Sequence, residues 1–160
     1  MSLASVKAFF ATNAPDITVI ELPDSTATVE LAAKGHGVAP AQIAKTLCLK
    51  VNDRPLLVVV SGTARLDNKK AKAAFGGKPK MPEAEEVAAL TGHPVGGVCP
   101  FGLKTPLPVY LDVSLRAFDL VYPAGGSLNA SVEVPTDRLF ELVAERWVDL
   151  CRLPEESVGQ

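Results

Sequence analysis

The sequence predicts a single domain of the α/β (α+β) class. Its 160 residues match the size of one ordinary domain, and 48% of them are hydrophobic, which is enough to fill one core. Segments with helical spacing of apolar residues alternate with short apolar runs, and several runs are joined by turn signals typical of hairpins. No repeat, low-complexity tract or linker divides the chain. We therefore assign residues 1–150 to one domain and residues 151–160 to a polar C-terminal tail.

The first third of the chain predicts three helices, one strand and a hairpin. The helices run from Ser2 to about Thr12, from Ser25 or Thr26 to the glycines at 35 and 37, and over 40–46 after Pro40. The strands cover 17–22, 47–51 and 56–62, and the last two are joined by a turn at Asn52, Asp53 and Pro55. The unbroken apolar run at 56–60 predicts a strand that is covered on both faces.

The remainder predicts two short helices, three strands and a final helix. The helices cover 67–77 and 81–92, and the strands cover 107–113, 118–126 and 130–135, with a few helical residues around Leu115. The final helix begins near Pro135 or Thr136, and its apolar stripe consists of Leu139, Leu142, Val143, Arg146 and Trp147.

Composition excludes several classes of protein. The formal charge of −2 argues against long duplex nucleic acid held mainly by a basic surface. Residues 1–10 resemble no targeting peptide, and no stretch approaches the roughly 20 apolar residues of a membrane helix. Three cysteines, at 48, 99 and 151, suit reduced thiols better than a disulfide framework. We therefore expect a cytoplasmic protein that does not engage a membrane.

Residues 91–103, "TGHPVGGVCPFGL", concentrate the residues that invite a chemical interpretation. A metal site is disfavoured because the chain has two histidines and no Cys-x-x-Cys or His-x-x-x-His spacing, so we expect neither a metal nor a cofactor. Cys99 with His93 as its base would form a thiol nucleophile, although a cysteine between Val98 and Pro100 is more typical of a buried apolar residue. The remaining alternatives are a tight turn and a ligand loop whose N–H groups at 96–98 bind a carbonyl or hydroxyl.

Lysines supply the other candidates. Lys45 lies where a short helix passes into an apolar strand, a position typical of a snorkelling side chain or of one held inward for a purpose. Lys69, Lys70, Lys72, Lys78 and Lys80 form a basic cluster. Such a cluster is often a solvated face, and it is also suited to contact phosphates.

Several stretches in this order resemble the YbaK/ProX (YbaK/EbsC) family of aminoacyl-tRNA deacylases, which is similar to the editing domain of bacterial prolyl-tRNA synthetases. They are residues 37–51, 61–76 and 86–103, followed by 110–115 and 123–135. The resemblance covers about residues 25–143. It implies a mixed, partly barrel-like β-sheet surrounded by helices, and here a free-standing editing domain.

The resemblance also implies an activity and a site. Family members hydrolyse the ester between a wrong amino acid and the terminal adenosine of a tRNA, most often tRNA(Pro). Lys45 matches the functional lysine of "Q-I-A-K-T-L", and Gly97, Pro100 and Phe101 match the "G-x-x-P-F" loop, in which Gly96 and Val98 also lie. We expect Lys45 to be catalytic by positioning substrate, without metal, and Lys69, Lys70 and Lys72 to contact tRNA. A prolyl-tRNA synthetase is the expected protein partner.

One departure bears on specificity. Deacylases of Cys-tRNA(Pro) carry a serine before the late Ala-Gly and an aspartate some seven residues on, where this chain has Pro123 and Ala130. Gly125, Ser127 and Asn129 are the expected substrate contacts on this side. A small amino acid, alanine, cysteine or serine, is the predicted substrate class. The alternative is a non-catalytic module that uses the same pocket to bind a tRNA end or a nucleotide.

Overall fold

The computed structural model describes residues 2–152, and the elements of this part of the chain are arranged around one mixed sheet. Five α-helices are present there: α1 (Ser2–Asn13), α2 (Val29–His36), α3 (Asn68–Phe75), α4 (Ala84–Thr91) and α5 (Thr136–Val143). The strands are β1 (Val19–Glu21), β2 (Ile43–Val51), β3 (Arg54–Ser61), β4 (Arg65–Leu66), β5 (Val109–Asp112), β6 (Leu120–Pro123), β7 (Ala130–Val132), β8 (Val134–Pro135), β9 (Arg146–Val148) and β10 (Cys151–Arg152). Short 3-10 helices cover Pro40–Gln42 and Val113–Ala117.

The central sheet has six strands in the order β8-β6-β2-β3-β5-β9. The β2–β3 and β6–β8 pairs are antiparallel, whereas β2–β6, β3–β5 and β5–β9 are parallel. The sheet curls into a half barrel, and the two-stranded ribbons β1–β7 and β4–β10 flank it. The predicted α+β class and the mixed, partly barrel-like sheet are therefore confirmed.

The β2–β3 hairpin forms the middle of this sheet, as predicted. Asn52 and Asp53 make its turn with φ of 51° and 63°, the left-handed conformation that a tight two-residue hairpin turn requires. Leu57 and Val59 contact one hydrophobic cluster, while Leu56, Val58 and Val60 contact another on the opposite face. Both faces of β3 are thus buried, which explains why its sequence is an unbroken apolar run.

Helix α2 begins later than predicted. Its N-cap is Thr28, whose hydroxyl accepts a hydrogen bond from the N–H of Leu31 at 3.2 Å. Ser25 and Thr26 instead contact the carbonyl oxygen of Leu128, because the chain there runs beside the late loop. The predicted end is confirmed, since Gly37 adopts a φ of 69° and caps the helix.

Two other helix predictions are wrong. The predicted helix over 40–46 is limited to the 3-10 turn Pro40–Gln42, and Lys45 lies inside β2 opposite Val60. The final helix ends at Val143, and Arg146–Val148 forms β9 beside β5. The spacing of apolar residues suggested one continuous helix because Trp147 does pack on the α5 face. Its ring stacks on Phe140 at 5.4 Å between centroids, but it does so from β9, after the chain has reversed direction.

Residues 151 and 152 belong to a strand, although the sequence predicts that they belong to the C-terminal tail. Cys151 and Arg152 form β10, which pairs antiparallel with Leu66 and Arg65 of β4. Residues 153–160 lie outside the described part of the chain. Within residues 2–152, none of the helices combines the length and the apolar character needed to span a bilayer.

Candidate functional site

A cavity of about 260 Å³ opens where the first half of β2 meets β6, the segment leading into α2, and the loop at 96–98. Its lining residues are Thr26, Ala27, Thr28, Val29, Ala32, Ile43, Ala44, Lys45, Thr46, Gly96, Val98, Tyr122, Ala124 and Ser131. Most of these side chains are small, and Lys45 supplies the only cationic group among them. This combination suits a small polar ligand held beside one ammonium.

Lys45 is the predicted site residue that the fold brings to this cavity most directly. It lies on β2 opposite Val60, and its Nζ donates a hydrogen bond to the carbonyl oxygen of Ala64 at 3.3 Å. Within residues 2–152, no carboxylate forms a salt bridge with it. An ammonium has three N–H donors, so this contact leaves hydrogen-bonding capacity for a ligand.

The edge of β2 is open beside Lys45. β6 pairs with β2 only at Ile43 and Ala44, and the next partner on that edge is Lys80, which exchanges two backbone hydrogen bonds with Lys50 at 2.8 and 2.9 Å. Because backbone direction alternates along a strand, the N–H and C=O of Thr46 point to the same edge as those of Lys50. The cavity is therefore bordered by backbone N–H and C=O groups of β2 that have no partner strand in the described part of the chain, as well as by side chains.

Thr46 adds a second polar feature that sequence reasoning missed. Its hydroxyl oxygen is buried and has no hydrogen-bond partner among the described residues. It lies on the strand face shared with Ala44, which packs in the main core. A buried hydroxyl without a partner costs free energy, so this position has an unused hydrogen-bonding group at the cavity wall.

The glycine loop lies against the cavity through two of its predicted residues. Gly96 and Val98 line it, whereas the N–H of Gly97 donates to the carbonyl oxygen of Pro94 at 2.9 Å and is engaged within the loop. A Cβ on Gly97 would lie 3.0 Å from the backbone of Gly126 and Ser127, so glycine is required for the two loops to touch. The ligand-facing N–H candidates are accordingly reduced to those of Gly96 and Val98.

Pro100 and Phe101 lie behind the cavity. Both are buried, and the Phe101 ring packs on Phe10 at 4.6 Å and on Phe9 at 5.6 Å between centroids. Their positions fasten the glycine loop to α1. Neither residue is among those that line the cavity, so the predicted contact of either side chain with substrate is not favoured by this arrangement.

His93 and Cys99 are buried at the base of the same loop. The Cys99 Sγ lies 3.6 Å from His93 Nε2, but burial raises the pKa of the thiol to about 12. Burial also lowers the pKa of His93, which favours the neutral ring; its Nε2 donates to the Phe101 carbonyl at 2.7 Å, and its Nδ1 lies 2.6 Å from the hydroxyl oxygen of Ser2, which also donates to the Gly126 carbonyl. A pair held in this way supports the loop and is poorly suited to nucleophilic attack, which requires the thiolate.

The late loop contributes residues other than those predicted. The Ser127 hydroxyl donates to Asn129 Oδ1 at 3.0 Å, and Asn129 Nδ2 donates to the Leu22 carbonyl at 2.8 Å. Gly125 is buried, and its N–H donates to the Ala130 carbonyl. None of the three lines the cavity; Ala124 and Ser131 do.

The basic cluster divides into two parts. Lys69 and Lys72 are exposed on α3, whereas Lys70 contacts Asp149 at 3.2 Å and the Cys151 carbonyl at 2.9 Å. Lys80 pairs with β2 through its backbone, and Lys78 is near it. Lys70 is thus engaged in structure, and Lys69 and Lys72 are the members of the predicted trio that present free surface to a polyanion.

The side chains that commonly bind metal ions do not cluster in the described part of the chain. Within residues 2–152 no three or more His, Cys, Asp or Glu side chains come together in an arrangement that would hold a metal ion. The three cysteines are all free and buried.

The lining contributed by α2, Tyr122 and Ser131 was missed because topology, not local spacing, assembles it. Tyr122 reaches the cavity from β6, where it pairs with Ile43, and its ring stacks on His36 at 4.9 Å between centroids. Ser131 arrives from β7. The one local signal available was Thr28, whose position before an apolar helical run is typical of an N-cap.

The fold and the site together define an aminoacyl-tRNA editing domain. The sequence profile of the family described as "Aminoacyl-tRNA editing domain" matches residues 23–142, and the chain belongs to this family. The resemblance noted from the motifs is therefore confirmed.

Three similar proteins extend this finding. "Uncharacterized protein YwhH" of Bacillus subtilis is 44% identical over 95% of this chain and 98% of its own. "Putative Cys-tRNA(Pro)/Cys-tRNA(Cys) deacylase EbsC" of Enterococcus faecalis is 27% identical over 77% of this chain and 76% of its own. A crystal structure described as "a putative trans-editing enzyme for prolyl tRNA synthetase" superposes with a TM-score of 0.88 at 37% identity, covering 94% of this chain and 97% of that one.

Proposed function

We propose that this protein is a trans-editing deacylase that hydrolyses the ester of a mischarged tRNA, with tRNA(Pro) carrying alanine, cysteine or serine as its substrate class. The observation that carries the proposal is Lys45, a residue that lines a small cavity and whose ammonium has one backbone acceptor and no carboxylate partner within residues 2–152.

The small side chains that line the cavity support a small aminoacyl group. Its volume is about 260 Å³, and Ala27, Ala32, Ala44 and Ala124 are among the residues that line it. A close-packed wall resists larger side chains by steric overlap, whereas it discriminates only weakly among smaller ones. The ester of the terminal adenosine would then lie at the mouth, within reach of Lys45.

The mechanism that we propose is hydrolysis by positioning and electrostatics. The Lys45 ammonium holds the ester carbonyl or the terminal nucleotide, and the N–H groups of Gly96 and Val98 stabilise the developing oxyanion while a bound water attacks. The proposal includes no covalent intermediate on Cys99, since its thiol is buried and its pKa is raised to about 12. The reaction is proposed to need no metal, and activity is expected to survive a chelator.

Partners follow from the same proposal. The substrate is aminoacyl-tRNA, contacted through exposed Lys69 and Lys72, and the synthetase that supplies the mischarged product is prolyl-tRNA synthetase. The similarity to a structure described as a trans-editing enzyme for that synthetase supports this choice.

A panel of mischarged tRNAs tests the function. The purified protein is incubated with tRNA(Pro) carrying Ala, Cys, Ser, Thr or Pro, and release of each amino acid is followed with and without a chelator. We expect release of one or more small amino acids and little release of proline. Release of none, with tRNA binding retained, would instead assign the chain as a non-catalytic binding module.

A further inference from the structure

Two arginines face each other across the ribbon formed by β4 and β10. Arg65 and Arg152 are Cα partners in the antiparallel register, and both side chains are exposed, while Leu66 and Cys151 of the same ribbon pack in the core. Directly opposed residues in an antiparallel pair have Cβ atoms about 5 Å apart, and like charges in such a pair are destabilising. The ribbon therefore holds two cations together on its solvent face without an evident structural gain.

Within residues 2–152, neither arginine forms a salt bridge, although the charge of Arg152 helps to lower the pKa of the Asp67 carboxyl. Asp67 is near Arg152, but its carboxylate caps α3 and accepts from the N–H groups of Lys69 at 2.9 Å and Lys70 at 3.2 Å. Asp149 is likewise engaged, with the ammonium of Lys70. The two guanidinium groups thus keep donors for an external anion.

Arg65 of the pair is next in sequence to Ala64, the residue that accepts a hydrogen bond from the proposed catalytic lysine. The carbonyl oxygen that receives the Lys45 ammonium belongs to Ala64, which immediately precedes Arg65. Ala64 is buried, so the start of β4 is fixed relative to the cavity wall. An anion held by the arginines would therefore lie on the same side of the chain as the Lys45 ammonium, close to the residue that accepts its hydrogen bond.

We propose that Arg65 and Arg152 bind a phosphodiester of the 3′ strand of the RNA whose terminal nucleotide enters the cavity. This inference rests on the proposed function, because it is that function which places an RNA end at Lys45. Guanidinium groups bind phosphate oxygens through paired N–H donors, and one phosphate between two arginines removes the repulsion that the free ribbon carries. The site fixes the backbone of the RNA and carries no sequence information.

Binding of an uncharged acceptor-stem RNA tests the proposal. R65Q, R152Q and the double variant are compared with wild type over a range of salt concentrations, and R54Q is the matched control because Arg54 is exposed at the far end of β3. We expect each single variant to weaken binding about tenfold and to reduce the salt slope by about one. The double variant should lose less than the product of the two single losses, because both arginines serve one phosphate.

Several outcomes overturn the proposal. If R65Q and R152Q bind the RNA with wild-type affinity, the proposal is wrong. If R54Q loses as much RNA affinity as they do, the loss reflects the net charge of the protein and not a specific phosphate site. Thermal unfolding of the free protein at low salt supplies a second arm: relief of repulsion predicts an unchanged or higher melting temperature in R65Q. A lower melting temperature with unchanged RNA affinity would mean that the arginines serve the chain itself, for example Glu155 and Glu156.

The test separates this inference from the function on which it rests. Binding of uncharged RNA involves no hydrolysis, so it reports on the arginines even if no mischarged tRNA is deacylated. Loss of binding in R65Q without any deacylation by wild type would leave the phosphate site standing and remove the enzyme. If wild type deacylates mischarged tRNA but both arginine variants bind RNA with unaltered affinity, the enzyme activity stands and the phosphate site is removed.

Discussion

The Lys45 Nζ lies 3.3 Å from the carbonyl oxygen of Ala64, and Lys45 is one of the residues that line the cavity at the open edge of β2. This contact orients the side chain with a single neutral acceptor. We therefore expect K45A to reduce deacylation on the order of a hundredfold, because the group that positions the ester is removed, while stability changes little. K45R keeps the charge but not the compact ammonium and should retain partial activity.

Single-turnover deacylation and urea unfolding of the same preparations measure the two effects of the Lys45 variants. A folded K45A protein with near-normal deacylation would contradict the proposed role of the lysine. Lys50, on the same strand but paired with Glu86 at 2.7 Å, provides the control, since K50A should leave deacylation unaltered.

Replacement of Thr46 by valine is expected to increase stability, although most substitutions of buried residues decrease it. Its hydroxyl oxygen is buried without a partner, so T46V removes an unsatisfied group while keeping the shape of the side chain. We expect the free energy of unfolding to rise by about 1 kcal/mol. Urea unfolding measures this value in the absence of RNA.

A threonine with a satisfied hydroxyl provides the matched comparison for Thr46. The Thr28 hydroxyl caps α2 by accepting from the Leu31 N–H, and T28V should therefore lower the free energy of unfolding by about 1 kcal/mol. Loss of stability in T46V as well would show that its hydroxyl has a partner in solution, and the prediction would be wrong.

The cysteines predict resistance to alkylation in the folded protein. Burial raises the pKa of Cys99 and of Cys151 to about 12, and it also raises the pKa of Cys48. At pH 8 a thiol with such a pKa is thiolate in roughly one molecule in ten thousand, so iodoacetamide should label none of the three quickly. Mass spectrometry of native and urea-unfolded samples measures the labelling. Rapid labelling of native Cys99 with parallel loss of deacylation would revive a thiol mechanism.

His93 predicts a pH dependence of stability. Burial lowers the pKa of its imidazole from the ordinary value of 6.5, so below that pH the unfolded chain binds more protons than the folded one. The free energy of unfolding should therefore fall as pH decreases from 7 to 5, by at most about 1.4 kcal/mol per pH unit from this group. H93Q should flatten the slope, and NMR of the wild-type ring should find a pKa below 6.5.

His36 provides the comparison for His93. Its pKa is also lowered by burial, but His36 is only partly buried whereas His93 is fully buried, so H36Q should flatten the slope less. An equal effect of both substitutions, or a measured pKa of His93 at or above 6.5, would contradict the assignment of His93 as a buried neutral support of the glycine loop.

Local patterns were sufficient to predict the hairpin and most helices, whereas the role of Lys45 was predicted only through the family motif. The turn at Asn52 and Asp53 and the glycine at the end of α2 depend on φ preferences that nearby residues alone determine. Arg146 and Trp147 were misassigned because their apolar period reflects packing of β9 against α5 after a chain reversal, which no local pattern encodes.

The candidate site divides in the same way. Lys45 and the glycine loop could be predicted because a motif marks them in the sequence. The walls supplied by Tyr122 and Ser131 could not, since they reach the cavity through strand pairing between segments that are far apart in the chain. Thr46 was overlooked although it adjoins Lys45, because a threonine in a strand has no signal that separates an unpaired hydroxyl from a packed one.

The lysines of α3 provide the last prediction. Lys70 contacts Asp149 and the Cys151 carbonyl, while Lys69 and Lys72 are exposed. K69E and K72E together should weaken tRNA affinity at least tenfold and make binding less dependent on salt, because two phosphate contacts become repulsions. The loss of deacylation should be far larger on tRNA than on an aminoacyl-adenosine mimic. K70A should act chiefly on stability, and equal losses on tRNA and mimic in K69E/K72E would instead indicate that α3 shapes the cavity.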